Sequence, residues 1–420
     1  MPDETTPAID ANVPEDLVAA FRERGWPQEL LERAAALHVS FEQLRRAIFV
    51  WNAPLERVEQ EIGWASRVIE GPIRFRQLTV ADNEQFCELW ANAPEEIGEW
   101  DVTVLRGPNG FAQFQLQERP ALNGLFDGGQ MVACVSFALR NTLVAGERLS
   151  VRYGQAMRVH NDHRRHGYAH WVRSIPWAVG IERFTQVQYD YLRSRNMTME
   201  RWNKKFMPDI ESVPKREDEV PGIPVDVIQY PARASSGGNT GIRTATPADV
   251  ERCAALINRT HAGRDLFRPY TPEFLADRLD EGFWGARPPG WVSVYCWDDM
   301  RVIERGGEIV ACAGLWDRGR DLREHWRHRE TGAERTISAT ALLDIGYAEG
   351  HEESLAALIE HLIGETLALE RDYLLAPLES LPEVAALLVS HEPVAETRYL
   401  QWRTNTPVIT RPTYLDLVYW

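Results

Sequence analysis

The sequence is short of positive charge: 46 Lys and Arg stand against 62 Asp and Glu, for a formal net charge of −16 over 420 residues. This argues against nucleic acid as a main partner, because phosphate contacts need clustered Lys and Arg. It also disfavours an anionic membrane surface, whereas a cationic substrate is compatible. Cysteine is sparse. Cys87, Cys134, Cys253, Cys296 and Cys312 form no C-x-x-C pair and are odd in number. That speaks against a disulfide framework or a zinc ribbon and reads as a reduced, cytoplasmic protein with buried thiols. The start, Met1-Pro2-Asp3-Glu4, lacks the basic patch and apolar run of a signal peptide. No stretch approaches the ~20 apolar residues of a membrane helix.

What is present is an ordinary globular composition, 44% hydrophobic and 26% charged. The length exceeds what one core usually supports, so two or more domains are expected. The chain also repeats itself. Ile73-Arg74 leads into Thr79-Val80-Ala81-Asp82, and Ile242-Arg243 leads into Thr246-Pro247-Ala248-Asp249. Further on, Gly128-Gly129-Gln130-Met131-Val132-Ala133-Cys134 is matched by Gly306-Gly307-Glu308-Ile309-Val310-Ala311-Cys312. The matches keep their order and nearly their spacing, which indicates two copies of one domain of ordinary size. In each copy the first landmark reads as a short strand stopping at a helix N-cap. The Gly-Gly pair reads as a tight hairpin turn before an apolar strand.

Residues 1–72 read as an N-terminal helical segment. Ser40-Phe41-Glu42-Gln43 is a capping box, and Leu44, Ala47 and Ile48 share one face. Between the copies, 211–241 reads as a linker. It holds Pro214, Pro221, Pro224 and Pro231, then Ser235-Ser236-Gly237-Gly238. The copies themselves span 73–210 and 242–420.

The stretch richest in chemistry runs from Gln155 through Met157, Arg158, Val159, His160, Arg164, Arg165, His166, Gly167, Tyr168 and Ala169. Leu149 to Val159 reads as a strand, Arg164 to Ala169 as a turn, and Trp171, Val172 and Ile175 as the helix after it. A strand, a basic glycine-containing turn and a helix make an anion site. Free amides and the helix dipole face the ligand, Gly167 allows close approach, and Arg164 and Arg165 supply charge for a diphosphate.

This segment resembles the acetyl-CoA signature of the GNAT superfamily of N-acyltransferases. There a strand ends in Val, and five residues later come Arg or Gln and x-x-Gly-x-Gly/Ala. Val159, Arg164, Gly167 and Ala169 match. The resemblance covers roughly 73–210 and, more weakly, 242–420. It implies an α+β fold: two tandem GNAT-like domains, each a mixed, mostly antiparallel sheet flanked by helices. It further implies acetyl-CoA or another acyl-CoA as co-substrate, and direct transfer to an amine, with a backbone amide of the 155–159 strand holding the oxyanion. The cofactor residues would be Met157, Arg158, Val159, Arg164, Arg165, His166, Gly167, Tyr168 and Ala169, with Asn196 near the pantetheine arm.

Two positions depart from the family. The Tyr that often protonates the leaving thiolate is Trp202 here, a far weaker acid, so Tyr189, Tyr191 or water would serve. From Arg148 to Asn161 there is no carboxylate. Glu99 and Asp101, clustered with Glu95 and Glu96 beside Trp100, would hold a cationic amine or relay its proton, unless they belong to a solvated acidic loop. The acceptor would be a small-molecule amine, cationic or aromatic, facing an aromatic wall drawn from Trp100, Trp171, Trp177 and Trp202. His160, His163, His166 and His170 straddle a strand end, a turn and a helix start. Their directions diverge, and no metal site is expected.

Glu324 to Glu330, dense in charge, reads as a solvated loop. The second copy carries Leu342 to Glu353 where the signature would stand, with Glu352 and Glu353 at the helix start and no Arg in the turn. It is expected to keep the fold and bind no acetyl-CoA. The chain would be a monomer or homodimer. The rival reading is a non-catalytic acyl-CoA-binding or scaffolding protein, and a third has a longer acyl group or an acceptor other than an amine.

Overall fold

The computed structural model describes residues 13–36, 44, 48, 49, 55, 56, 58, 59, 62, 73–164, 166, 168, 169, 172, 187–193, 223–234, 241–280, 293–403 and 413–417. Outside these lie Ser40 to Gln43, Ala47, Arg165, Gly167, His170, Trp171, Ile175, Trp177, Asn196, Trp202, Pro214, Pro221 and Ser235 to Gly238.

In chain order the elements begin with α1 (Glu15–Glu23), α2 (Glu29–Ala36), β1 (Ile73–Gln77), α3 (Asn83–Ala91), β2 (Glu95–Ile97) and β3 (Trp100–Arg106). Then come α4 (Ala112–Gln115), β4 (Pro120–Asp127), β5 (Gln130–Val144), β6 (Glu147–Val159), β7 (Val187–Arg193) and β8 (Ile223–Pro231). The later part holds β9 (Ile242–Thr244), α5 (Val250–Thr260), α6 (Pro272–Asp280), β10 (Met300–Arg305), β11 (Glu308–Trp316) and β12 (Leu322–His328). It ends with β13 (Glu334–Tyr347), α7 (Glu352–Ala368), β14 (Tyr373–Ala376), α8 (Pro382–Leu387) and β15 (Val394–Arg403).

The chain divides into two compact units. One is Met1–Leu78 with Leu122–Val135 and Met157–Phe184; the other is Thr79–Ala121 with Ser136–Ala156 and Thr185–Trp420. In the first, Leu17, Ala20 and Phe21 line one face of α1 at i, i+3, i+4 spacing. They bury themselves with Leu31, Ala34, Leu44, Ile48, Val58 and Ile62 in a cluster of their own. The same unit contains the antiparallel pairing of β1 with β4, from Ile73↔Asp127 to Gln77↔Asn123.

The second unit carries a mixed, mostly antiparallel sheet in the order β5-β6-β7-β15-β8-β14-β13-β11-β10-β9. Its parallel pairs are β6–β7 and β13–β14. Helix α7 is apolar on most of its surface, and Leu355, Leu358, Ile359, Leu362 and Ile363 are fully buried. At roughly 1.5–3 kcal/mol per buried Leu or Ile, this helix is a main source of core stability.

The repeat is visible in detail. Thr79 donates from its amide (2.8 Å) and hydroxyl (3.1 Å) to Asp82 Oδ2, and Thr246 donates likewise to Asp249 Oδ2 at 2.9 and 2.9 Å. Each pair closes a capping box ahead of α3 or α5. The Gly128-Gly129 turn has φ of 56° and 90°, and Gly306-Gly307 has 59° and 85°. Two successive positive φ values define the hairpin turn that only glycine enters without strain.

Three expectations are corrected. Ile223–Pro231, inside the stretch read as a linker, is strand β8, which pairs with β14 and β15. Val225, Val227 and Tyr230 are buried, while Pro224 and Pro231 mask the strand signal. The charged run Glu324–Glu330 is not a solvated loop. Most of it belongs to β12, which pairs with both β3 and β13. Arg327 faces Asp101 on one side and Glu334 on the other, so opposite charges meet across the ladder. The acidic segment around Glu95 to Asp101 is likewise a hairpin, β2–β3, rather than a loop.

Candidate functional site

Strand β6 carries the segment that the sequence singles out. It runs parallel to β7 through Val151↔Val187, Arg152↔Gln188 and Tyr153↔Tyr189, and among the described residues that pairing goes no further. Three residues past Tyr153, Ala156 takes φ 56°, a left-handed conformation inside a strand. For a residue with a Cβ this costs about 1–2 kcal/mol, so its surroundings must enforce it. Strand β13 of the second copy shows the same two features. Its parallel pairing with β14 spans Ala339, Thr340 and Ala341, and Asp344 has φ 53°. Ala156 and Asp344 each lie three residues before the last residue of their strands, Val159 and Tyr347.

The turn after β6 belongs to the first unit. His160 donates its amide to Val132 O at 2.9 Å, which ties the strand end to β5. A single 3-10 turn, Asn161–His163, follows, and His160 Nδ1 accepts from the Asp162 amide at 3.3 Å. Arg164 then returns to extended backbone and its side chain is exposed. Tyr168 and Ala169 are helical. The Tyr168 hydroxyl donates to Asp127 Oδ2 at 3.1 Å. Burial first, and the Asp127 bond second, push its phenol above the ordinary range. The His163 ring stacks on Tyr168 at 6.0 Å, and His166 lies 6.3 Å from His163. The histidines thus form an aromatic ledge along the turn. Among the described residues no group of three His, Cys, Asp or Glu is arranged to hold a metal ion. Met157, Arg158 and Val159 complete the strand, with Arg158 Nη1 donating to Met157 O at 2.8 Å. Arg165, Gly167 and Asn196, also expected here, lie outside the described residues.

The expected acid–base residues separate into two places in the second unit. Tyr189 and Tyr191 come together on β7, their rings 5.0 and 5.7 Å from Tyr153 of β6. The Tyr189 hydroxyl accepts from Arg140 Nη1 at 3.1 Å. Burial, then the neighbouring tyrosines, hold the Tyr191 phenol well above its ordinary pKa, which makes it a weaker proton donor than a free phenol. Glu99 and Asp101 stand elsewhere, in the sheet of β2, β3 and β12. Glu99 is exposed and its carboxylate lies 3.3 Å from His328 Nε2. Between them Trp100 makes ring contacts with Trp326 at 6.1 Å and His328 at 4.9 Å, and Arg335 lies 5.0 Å from the Trp100 ring.

Two clusters escaped the sequence reading. The first is a row of carboxamides beside the left-handed residue of β6, Ala156. Gln155 Nε2 donates to Gln117 Oε1, Gln113 Nε2 to Gln155 Oε1 at 3.5 Å, and Arg106 Nη2 to Gln113 Oε1 at 3.0 Å. Gln113 and Gln117 are buried. Alternation with Phe114 and Leu116 makes this segment read as a half-exposed strand, which hides it. The second surrounds Asp344. Tyr270 and Tyr295 hydroxyls donate to its two oxygens at 2.7 and 2.8 Å, and Arg278 Nη1 lies 3.1 Å away. Arg278 also grips Asp416 with two bonds of 3.0 Å. Burial pushes the Asp344 carboxyl up, against the pull of Arg278. Asp344 signalled itself only as an acid inside an apolar strand.

No protein-family model and no curated protein matches the sequence. Solved structures do match. Saccharomyces cerevisiae N-myristoyltransferase with bound myristoyl-CoA superposes with a TM-score of 0.55 at 10% identity, over 79% of this chain and 82% of that one. A further structure of the yeast enzyme, with bound myristoyl-CoA and inhibitors, gives 0.53 at 11% identity, over 81% and 85%. A GCN5-related N-acetyltransferase from Sphaerobacter thermophilus covers 82% of this chain and 99% of its own at 13% identity, but with a TM-score of 0.43. Identities this low speak for the fold alone. The chain thus shares the fold of N-myristoyltransferase, with its landmarks and its parallel-paired strand duplicated along the sequence.

Proposed function

We propose that this chain is an acyl-CoA-dependent N-acyltransferase in which the first copy, 73–210, holds acyl-CoA and the second, 242–420, is degenerate. The reading is carried by the Arg164-containing turn that follows β6. The sequence Arg164 to Ala169 is basic and bears a glycine, a composition that suits a diphosphate, and it supports this reading. The fold likeness to structures holding myristoyl-CoA supports acyl-CoA as the ligand class.

In this reading the diphosphate is bound by Arg164, Arg165, His166, Gly167, Tyr168 and Ala169, and the pantetheine arm by Met157, Arg158 and Val159, with Asn196 assigned to the arm by the resemblance alone. An amine loses a proton to water or a carboxylate, and Glu99 and Asp101 attract it if it is cationic. Its nitrogen attacks the thioester carbon. The oxyanion is held by a backbone amide of strand β6. The C–S bond then breaks, and the sulfur leaves as thiolate or takes a proton from water, Tyr189 or Tyr191. The acceptor is a small-molecule amine. The second copy holds no acyl-CoA, because Glu352 and Glu353 open α7 where a diphosphate would sit. The chain is proposed to be a cytoplasmic monomer or homodimer; no described helix is long and apolar enough to cross a membrane.

The test is isothermal titration of acetyl-CoA, myristoyl-CoA and CoA into the wild type and into Arg164→Ala/Arg165→Ala. One site per chain, weakened at least ~10-fold in the variant, is expected, since two guanidinium–phosphate contacts are lost. No binding of any of the three by the wild type overturns the reading in favour of a scaffold.

A further inference from the structure

Ala156 and Asp344 hold the same strained backbone at the same place in duplicated strands, and the second unit enforces it in two different ways. Asp344 is locked by its own carboxylate, through Tyr270, Tyr295 and Arg278. Ala156 has no side chain to be gripped. The residue before it does: Gln155 is bonded at both ends of its carboxamide, to Gln117 through its nitrogen and to Gln113 through its oxygen. Gln113 in turn accepts from Arg106, whose guanidinium lies 4.0 Å from the Trp90 ring. Gln113 and Gln155 each accept at oxygen and donate at nitrogen, so the bonds run in one direction from Arg106 to Gln117 and polarise one another. Gln117 is fully buried and Gln113 nearly so, which fixes both partners.

We propose that Gln155 is a positioning residue: the Arg106–Gln113–Gln155–Gln117 row holds the left-handed Ala156 backbone so that a backbone amide there meets the acyl-thioester carbonyl. The proposal rests on the acyl-CoA reading above but asks for more. CoA lacks the carbonyl, so the preference for acetyl-CoA over CoA reports this contact and nothing at the diphosphate end.

Both ligands are titrated into the wild type, Gln155→Met, which keeps the bulk and loses the bonds, and Gln117→Met, which removes the same bond from the other side. Thermal melts verify folding. In either folded variant the acetyl-CoA preference is expected to fall ~5-fold or more, the size of one hydrogen bond, with CoA affinity within about twofold of wild type. An equal loss for both ligands marks a merely structural role and overturns the proposal. So does an unchanged preference, or a wild type that binds CoA and acetyl-CoA alike. A wild type that binds neither defeats the acyl-CoA reading itself. Misfolding of both variants counts against the proposal too, since it makes the row a core element.

Discussion

Arg278 and Asp344 meet at 3.1 Å with 1% and 0% of their side chains exposed. Asp416 completes a triad around the guanidinium, and the phenols of Tyr270 and Tyr295 satisfy the Asp344 oxygens. Removing one partner strands a buried charge, which costs far more than the pair contributes. Arg278→Met should therefore destabilise the protein by about 3–5 kcal/mol, read as a lower urea midpoint at unchanged slope. A loss under 1 kcal/mol would mean that water reaches the cluster.

Gly314 faces the same cluster from β11. A Cβ there would stand 1.7 Å from the Tyr295 hydroxyl. Gly314→Ala must push that ring aside and cost the Asp344 bond, for about 2–4 kcal/mol. Combined with Tyr295→Phe, which removes the clashing oxygen, the two losses should sum to less than their separate values.

His261 sits against β13 with Nε2 2.9 Å from Ile345 O and Nδ1 3.0 Å from Arg264 Nη1. This makes Nε2 the protonated nitrogen and leaves no place for a second proton. Burial, then Arg264, push its pKa down to about 3. The unfolded chain binds this proton near pH 6.5. A depressed folded value means that the contribution to stability is whole above about 6.5 and is lost as pH falls towards 3. The slope is roughly 1.4 kcal/mol per pH unit. Urea titrations at pH 7, 6, 5 and 4 should show His261→Gln losing this part of the slope; parallel slopes would mean that His261 charges in place.

Asp249 is bonded by Arg243 and Arg252 as well as by Thr246. The Arg243 bond, ahead of its Thr246 bonds, holds its carboxyl below the usual carboxylate range. Its contribution is present above about pH 4 and is lost as acid titrates it. At neutral pH Asp249→Asn should cost at least ~1 kcal/mol, and its melts should approach those of the wild type only as pH falls well below 3.

The parts of this architecture written in local chemistry were legible. Thr79 with Asp82, the Gly128-Gly129 turn and strand β6 depend on neighbours in sequence, and they stand where those residues imply. Strand β12 was not legible, because its charges are stabilised by Asp101 and Glu334, which are distant in sequence. Strand β8 was hidden by prolines at its ends. The left-handed positions Ala156 and Asp344 leave no mark in residue type, since neither is the glycine that such a backbone favours. The carboxamide row combines α4, the turn after it and β6, so no one segment announces it.

Strand β15, from the second copy, lies between β7 and β8, and β8 in turn lies against β14 of the second copy. Arg398 pairs with Arg193 across 205 residues of chain (398 − 193). A strand of the second copy thus completes the sheet beside the first. Cutting the chain between them would give two fragments, each with a bare sheet edge that only its sibling can cover, so such fragments should reassemble with each other rather than stand alone. The second copy is therefore no removable spare, because deleting it would strip β7 of β15.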